Sequence, residues 1–285
     1  MKLRFLGTGA AEGVPGAYCD CPTCTEIRRR GKEEFHTRAQ LLVDDKVGID
    51  YPPDAYAHAL AFGGNLRELE YLLVTHSHMD HFYAHDFILR GYKYAGGQPP
   101  VLHIYGNEEV AKVYAECTRR ELRADVAEGI KIHVVSPFQP FSFGTQGAYV
   151  ATALPAQHSQ TEQAFVYLLQ KGETSYLHLT DTGRLPAKTL EYLQTVFENR
   201  KKKIDFVTFD CTFLFHTAGE VSRHMGLEDN KAMEQEFLRR GIVDKNTRYA
   251  ITHFSHNSNP LSETLQTAWR EYGYLPARDG LTVEV

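Results

Sequence analysis

The 285-residue chain predicts an α/β fold, and three observations carry that expectation. Short apolar runs that read as strands alternate with stretches of helical composition. Several of these runs stop just before a histidine or an aspartate. The densest stop is His76-Ser77-His78-Met79-Asp80-His81, directly after the apolar run Tyr71-Leu72-Leu73-Val74. Three imidazoles and a carboxylate in six residues suit a metal better than an ordinary polar turn. Positions two apart on an extended chain face the same side, so His76 and His78 can converge on one ion. Asp80 and His81 follow a change of direction and are placed for a second ion beside the first. Imidazole suits zinc, manganese and iron, and a carboxylate adds charge and tolerates harder ions.

Composition sets the frame for these ligands. At 42% hydrophobic the chain can bury a sizeable core, and its net charge of −5 argues against a broad nucleic-acid-binding face. No apolar run approaches the roughly 18 residues of a membrane span, so no membrane partner is expected. Met1-Lys2-Leu3-Arg4-Phe5-Leu6 runs straight to glycine, unlike a signal peptide, and a cytoplasmic location is expected. Five cysteines, three of them crowded as Cys19, Cys21 and Cys24, then favour metal thiolates over disulfides. With no linker, repeat or low-complexity tract, residues 1–285 read as one domain.

Taken in order, 3–6 is a strand breaking into the glycine turn 7–13. That turn lacks GxGxxG spacing, so close backbone approach to a metal site explains it better than phosphate cradling. Cys19-Asp20-Cys21-Pro22-Thr23-Cys24 precedes a basic helical segment and offers three thiolates that want a fourth ligand. His256, His224 and Cys211 are the candidates. Residues 39–43 and 47–50 read as a hairpin, and 54–70, 86–92 and 108–124 as helical, with Cys117 in the core. Residues 101–105 form a buried strand. His103 and His133 lie inside strand-like runs and read as structural. Three later strands, 149–154, 174–180 and 249–252, lead to His158, Asp181 and His253. Separate strands delivering ligands to one sheet edge is how a rigid site is assembled from distant sequence. A helix is expected over 186–203, with Pro186 at its start and Lys201-Lys202-Lys203 in its last turn. Residues 207–211 read as another strand, and 228–240 as another helix.

With these positions in hand, the chain resembles the metallo-β-lactamase superfamily through its HxHxDH motif. Within the ribonuclease Z-like branch, it is most similar to the phosphoribosyl 1,2-cyclic phosphate phosphodiesterase family, which adds an N-terminal CxCxxC. The resemblance spans essentially the whole chain and implies an αββα four-layer sandwich. It implies two divalent ions (zinc, manganese or iron) and one structural zinc. His76, His78 and His158 would hold one catalytic ion, and Asp80, His81 and His253 the other, with Asp181 bridging. Asp50 would support the site without ligating. In His253-Phe254-Ser255-His256 the second histidine would complete the cysteine site, which selects His256 as the fourth ligand. His224, in Ser222-Arg223-His224-Met225, would be the general acid, with His216 a weaker competitor.

The implied enzyme is a metal-dependent hydrolase that activates water to cleave a small cyclic or ribose phosphodiester. RNA is not expected as substrate, since no long RNA-binding arm is evident, and a homodimer is open. Phe82-Tyr83-Ala84-His85 and 213–220 depart from the family pattern, so the metal chemistry carries over better than the substrate. The alternatives are an acyl (thioester or lactone) hydrolase, or a non-hydrolytic metalloprotein resembling pyrroloquinoline quinone biosynthesis protein B. The natural substrate, the metals' identity and the roles of His85 and His216 stay open.

Overall fold

The computed structural model describes residues 1–285, the side chain at position 92 excepted. Six strands open the chain: β1 (Lys2–Gly7), β2 (Gln40–Val43), β3 (Val47–Ile49), β4 (Tyr71–Leu73), β5 (Leu102–Gly106) and β6 (Ile130–Val134). Seven more follow: β7 (Pro140–Phe143), β8 (Tyr149–Pro155), β9 (Phe165–Lys171), β10 (Thr174–Leu179), β11 (Phe206–Asp210), β12 (Arg248–Thr252) and β13 (Leu275–Pro276). The last strand, β14 (Thr282–Glu284), returns to β1. Two seven-stranded sheets result, in the orders β14-β1-β2-β3-β4-β5-β6 and β13-β12-β11-β10-β9-β8-β7. The helices are α1 (Pro22–Arg30), α2 (Ala55–Phe62), α3 (Tyr92–Ala95), α4 (Glu108–Thr118), α5 (Ala124–Glu128), α6 (Ala187–Phe197), α7 (Leu227–Arg239) and α8 (Ser262–Tyr272).

Three apolar cores sort these elements into layers. Between the sheets, Phe5, Leu41 and Leu73 of the first meet Tyr167, Tyr176 and Ala250 of the second. Outside the second sheet, Leu193, Phe197, Phe237 and Leu265 from α6, α7 and α8 cover Leu177, Val207 and Ile251. Outside the first, Ala55 and Val110 from α2 and α4 cover Leu72 and Ile104. Each sheet therefore buries both faces, which is the αββα sandwich. Its central strands read as continuous apolar runs for that reason.

The cross-strand register makes the site. β10, β11 and β12 run parallel, with Leu179 opposite Phe209 and Asp210 opposite Thr252. β8 and β10 are each antiparallel to β9, so their ends point the same way. The first sheet joins that edge through the Phe165 amide, which donates to the Thr75 carbonyl at 2.8 Å. The Tyr167 hydroxyl adds a second tie to the Val74 carbonyl at 2.9 Å. Ligands that trail these strands thus arrive at one rim, where open α/β sheets place their sites.

Several expected elements are shorter than composition suggests. The helix expected over 186–203 ends at Phe197, and Lys201, Lys202 and Lys203 lie in the loop before β11. The Lys203 ammonium still meets the helix end, donating to the Phe197 carbonyl at 2.5 Å. The 86–92 helix is a 3₁₀ segment over Ala84–Leu89 followed by α3, and the side chain of its last residue, Tyr92, lies outside the described residues. Residues 54–70 and 108–124 each split at intervening loops. Cys117 packs on the outer core of the first sheet and is only partly buried. No helix is long and apolar enough to cross a membrane, among the described residues.

Candidate active site

Four residues of the site sit at or just past strand ends, and three have left-handed backbones. Asp50, Asp181 and His253 adopt φ of 64°, 59° and 65° after β3, β10 and β12. Non-glycine residues rarely hold this conformation, and they do so where surrounding structure imposes it. The turn swings each side chain off the sheet alternation and into the rim. After β4 the chain turns at His78, whose carbonyl accepts from the His81 and Phe82 amides at 3.0 and 2.8 Å, so Asp80 and His81 follow a change of direction as the sequence suggested. His76 and His78, before that turn, come together, with Nε2 of His76 2.9 Å from Nδ1 of His78.

Two ligand groups share one carboxylate. His76, His78, His158 and Asp181 form one, and Asp80, His81, Asp181 and His253 the other, with donor atoms in each within 4.8 Å of one another. Asp181 lies between them. Its Oδ2 is 3.3 Å from His76 Nε2 and 3.1 Å from His81 Nε2, while Oδ1 is 3.1 Å from His158 Nδ1. Burial first, then the neighbouring imidazoles, hold His76 well below the ordinary histidine range, so it offers a neutral lone pair. Burial lowers His158 as well.

Hydrogen bonds on the outer edges choose the tautomers. His81 donates from Nδ1 to Asp50 Oδ2 at 2.7 Å. Thr75 spends its hydroxyl proton on Asp50, so it accepts from His76 Nδ1 at 3.0 Å. Thr212 likewise accepts from His253 Nδ1 at 2.8 Å. Each arrangement turns the Nε2 lone pair of His76, His81 and His253 to the centre, as outer partners do for metal-bound histidines. The Asp50 carboxylate therefore orients ligands and sits outside both groups. His81 Nε2, His158 Nδ1, Asp181 Oδ1 and His253 Nε2 are buried and, although they approach one another, make no well-directed hydrogen bond. Each orphaned atom costs about 1–3 kcal/mol, so four around one centre fit divalent cations as the missing partners.

His224 stands at the edge of this centre, 24% exposed in its side chain. Its Nδ1 is 3.0 Å from both Asp210 Oδ2 and Asp181 Oδ1. Burial pulls the imidazole down, but the charges of Asp210 and Asp181 outweigh it and push it up to about 9. Asp181, Asp210, His224 and His253 also lie close enough to hold an ion. Yet Asp210 Oδ1 already accepts from the Thr212 amide, the Thr212 hydroxyl and the Met225 amide. Its Oδ2 accepts from the Thr182 amide and faces His224. A carboxylate that saturated orients a histidine better than it ligates.

The cysteine group lies further along the same rim. Cys19, Cys21, Cys24 and His256 present four donor atoms within 4.8 Å of one another. His256 Nδ1 is 3.7 and 3.5 Å from the sulfurs of Cys19 and Cys21. Cys21 caps α1 and Cys24 lies within it, which fixes their separation. The backbone passes close at Gly16, where a Cβ would sit 3.1 Å from Cys19 Cβ and 3.3 Å from His256 Cδ2. Three thiolates and an imidazole are the donor set of a closed tetrahedral zinc site. Cys211 is fully buried in the second sheet's outer core, and His224 faces Asp210, so neither joins this group.

Two sequence candidates fall outside every ligand group. His85 is exposed and packs at a tilt against Tyr83, ring centroids 5.2 Å apart, and His216 is exposed in the loop before α7. His103 and His133 pair with each other at 2.9 Å on the first sheet. Asp210, Thr212 and Thr75 went unread in the sequence. Asp210 had a signal, because Val207-Thr208-Phe209-Asp210 repeats the strand-then-acid pattern that marks Asp181.

Residues 47–238 match the β-lactamase superfamily domain, and the chain belongs to that superfamily, with the metallo-β-lactamase fold. A diphosphatase from the PhnP family is similar in structure at 21% identity, over 100% of this chain and 97% of that one, with a TM-score of 0.69. Zinc-bound PqqB from Methylobacterium extorquens is similar at 16% identity over 100% of both chains, with a TM-score of 0.75. Human tRNase Z, short form, is similar at 13% identity over 100% and 99%, with a TM-score of 0.66. Among curated proteins, an octanoyltransferase from Porphyromonas gingivalis is 35% identical over 85 residues. That match covers 28% of this chain and only 16% of the octanoyltransferase.

Proposed function

We propose that this chain is a metal-dependent phosphodiesterase acting on a small-molecule phosphodiester. The observation that carries the reading is the Asp210–His224 pair set against two ligand groups that share Asp181. Divalent ions, when bound, would supply a water that ionises near pH 7 and positive charge for the phosphoryl oxygens. His76, His78 and His158 would hold one ion, and Asp80, His81 and His253 the other, with Asp181 common to both groups. His224 does the proton work. Its Nδ1–H is held by Asp210, leaving Nε2–H to protonate the departing alkoxide. An alkoxide is a poor leaving group, and such an acid contributes about 10²–10⁴-fold. The PhnP-family and tRNase Z structures, whose names denote phosphate-ester and diphosphate chemistry, support this reading. The net charge of −5 favours a small substrate over RNA.

One observation favours a second reading. The 85-residue similarity to an octanoyltransferase associates a related sequence with acyl chemistry, and the same centre could cleave a thioester. Turnover of a cyclic ribose phosphodiester, an aryl phosphodiester and an acyl thioester, by protein reloaded with manganese or zinc, separates the two. Preference for the phosphodiesters supports the proposal, and thioester cleavage alone overturns it.

In the same reading, Cys19, Cys21, Cys24 and His256 hold a structural zinc that ties residues 19–24 to the loop after β12. Cys24→Ser is expected to lower bound zinc by one per chain and the melting temperature by roughly 5 °C or more. Elemental analysis and thermal unfolding check this, and the metals of the His/Asp groups should be retained.

A further inference from the structure

We infer that Glu162 is a positioning residue that locks the His76–His78 turn to the His158 loop, so that the three imidazoles of one ion are preset together. This rests on the two-ion reading above. Glu162 lies in the β8–β9 loop, four residues after His158, and reaches across to the loop that follows β4. Its Oε1 accepts from the Ser77 hydroxyl at 2.8 Å, and its two oxygens take the Ser77 amide at 3.2 and 3.0 Å. Ser77 sits between His76 and His78, so these bonds fix the backbone from which both imidazoles project. Glu162 Oε2 also accepts from Asn107 Nδ2 at 2.7 Å. Asn107 is itself committed: Nδ2 donates to the Gln163 carbonyl at 2.9 Å, and Oδ1 caps α4 by accepting from the Val110 amide at 2.9 Å. The clamp therefore joins three segments, after β4, after β5 and before β9.

The donors demand a carboxylate. Every group facing Glu162 donates to it, the Ser77 amide and Asn107 Nδ2 being able to do nothing else, and a carboxylate accepts at both oxygens. Glutamine would accept at one side only and turn its amide NH₂ toward Ser77 or Asn107. Asn107 cannot flip to receive it without losing both the cap and the Gln163 bond. The same length of side chain thus leaves the Ser77 amide or Asn107 Nδ2 without its acceptor, which separates Glu162 from a residue that merely fills space.

The test uses the full chain, stripped and reloaded in buffers of set free zinc, with zinc per chain read by elemental analysis. Glu162→Gln is expected to weaken one ion about 10-fold or more, the range typical for partners behind metal ligands, and leave the others unchanged. Added to His78→Ala, which disables the same group, it should weaken binding no further; added to His253→Ala, it should lose the remaining catalytic ion. In Glu162→Gln with Asn107→Asp, the new acceptor at 107 meets the glutamine NH₂ while still capping α4, but it gives up the bond to the Gln163 carbonyl. That double variant should recover part of the lost affinity. With zinc saturating, the single variant should keep kcat within about threefold. Unchanged zinc affinity in Glu162→Gln, equal weakening of all ions, or loss of fold in the stripped variant would overturn the positioning role. Wild type that takes up no ion beyond the cysteine site would overturn the two-ion reading with it.

Discussion

Asp181→Ala is expected to leave a folded protein that holds at most one catalytic ion and has lost about 10³–10⁴-fold or more in turnover. The structure gives one carboxylate to both ligand groups, with Oδ2 3.3 and 3.1 Å from His76 and His81 and Oδ1 3.1 Å from His158. Removing it takes a negative charge and a shared ligand from the point where two positive ions would lie closest. The several kcal/mol of charge stabilisation that a metal centre supplies then disappears, which sets the size of the rate loss. Folding should survive, because the side chain is a buried carboxylate among imidazoles and no hydrophobic contact depends on it. The left-handed backbone at 181 adds a second expectation. Asparagine tolerates that conformation better than alanine, so Asp181→Asn should be the more stable of the two variants. Metal counting and steady-state kinetics on both variants check this. Two ions retained in Asp181→Ala would refute the shared-ligand arrangement.

The sequence made the ligand side chains legible for a physical reason. Strands buried on both faces are near-continuous apolar runs, so the first ligand-bearing residue beyond each one stands out, as His158, Asp181 and His253 do after β8, β10 and β12. The fold followed from the same alternation once the HxHxDH stretch was placed. What stayed hidden depends on the far partner. Thr75 and Thr212 select tautomers through single hydroxyls, and Glu162 acts across 85 residues on Ser77. No local pattern announces such contacts. Helix lengths also failed locally: Phe197 ends α6 because it is the last residue of the helix with a core to face, while Lys202 and Lys203 beyond it pair with Asp205 and with the Phe197 and Glu198 carbonyls. Asp210 differs, since its strand-then-acid pattern was there to be read.

His224 should then separate metal binding from proton transfer. His224→Ala is expected to keep both catalytic ions and lose about 10²–10⁴-fold in kcat toward an alkoxide leaving group. The loss should shrink toward none for an aryl phosphodiester, whose phenolate departs without a proton. The pH profile carries the sign. As an acid, His224 works only while protonated, so its activity persists at low pH and falls as pH rises through its pKa. Asp210 and Asp181 push that value up to about 9 against the effect of burial, and ions at Asp181 draw it back, leaving Asp210 as the sustaining charge. The alkaline limb should therefore fall between the ordinary histidine value near 6.5 and about 9. Asp210→Asn removes the sustaining charge and should move that limb toward lower pH by roughly a unit or more, with metal content unchanged. A limb that stays put in Asp210→Asn, or an alkoxide substrate as fast in His224→Ala as in wild type, would assign the proton to another donor. Loss of an ion from His224→Ala would instead make His224 a ligand, drawing Asp210 into the metal centre with it.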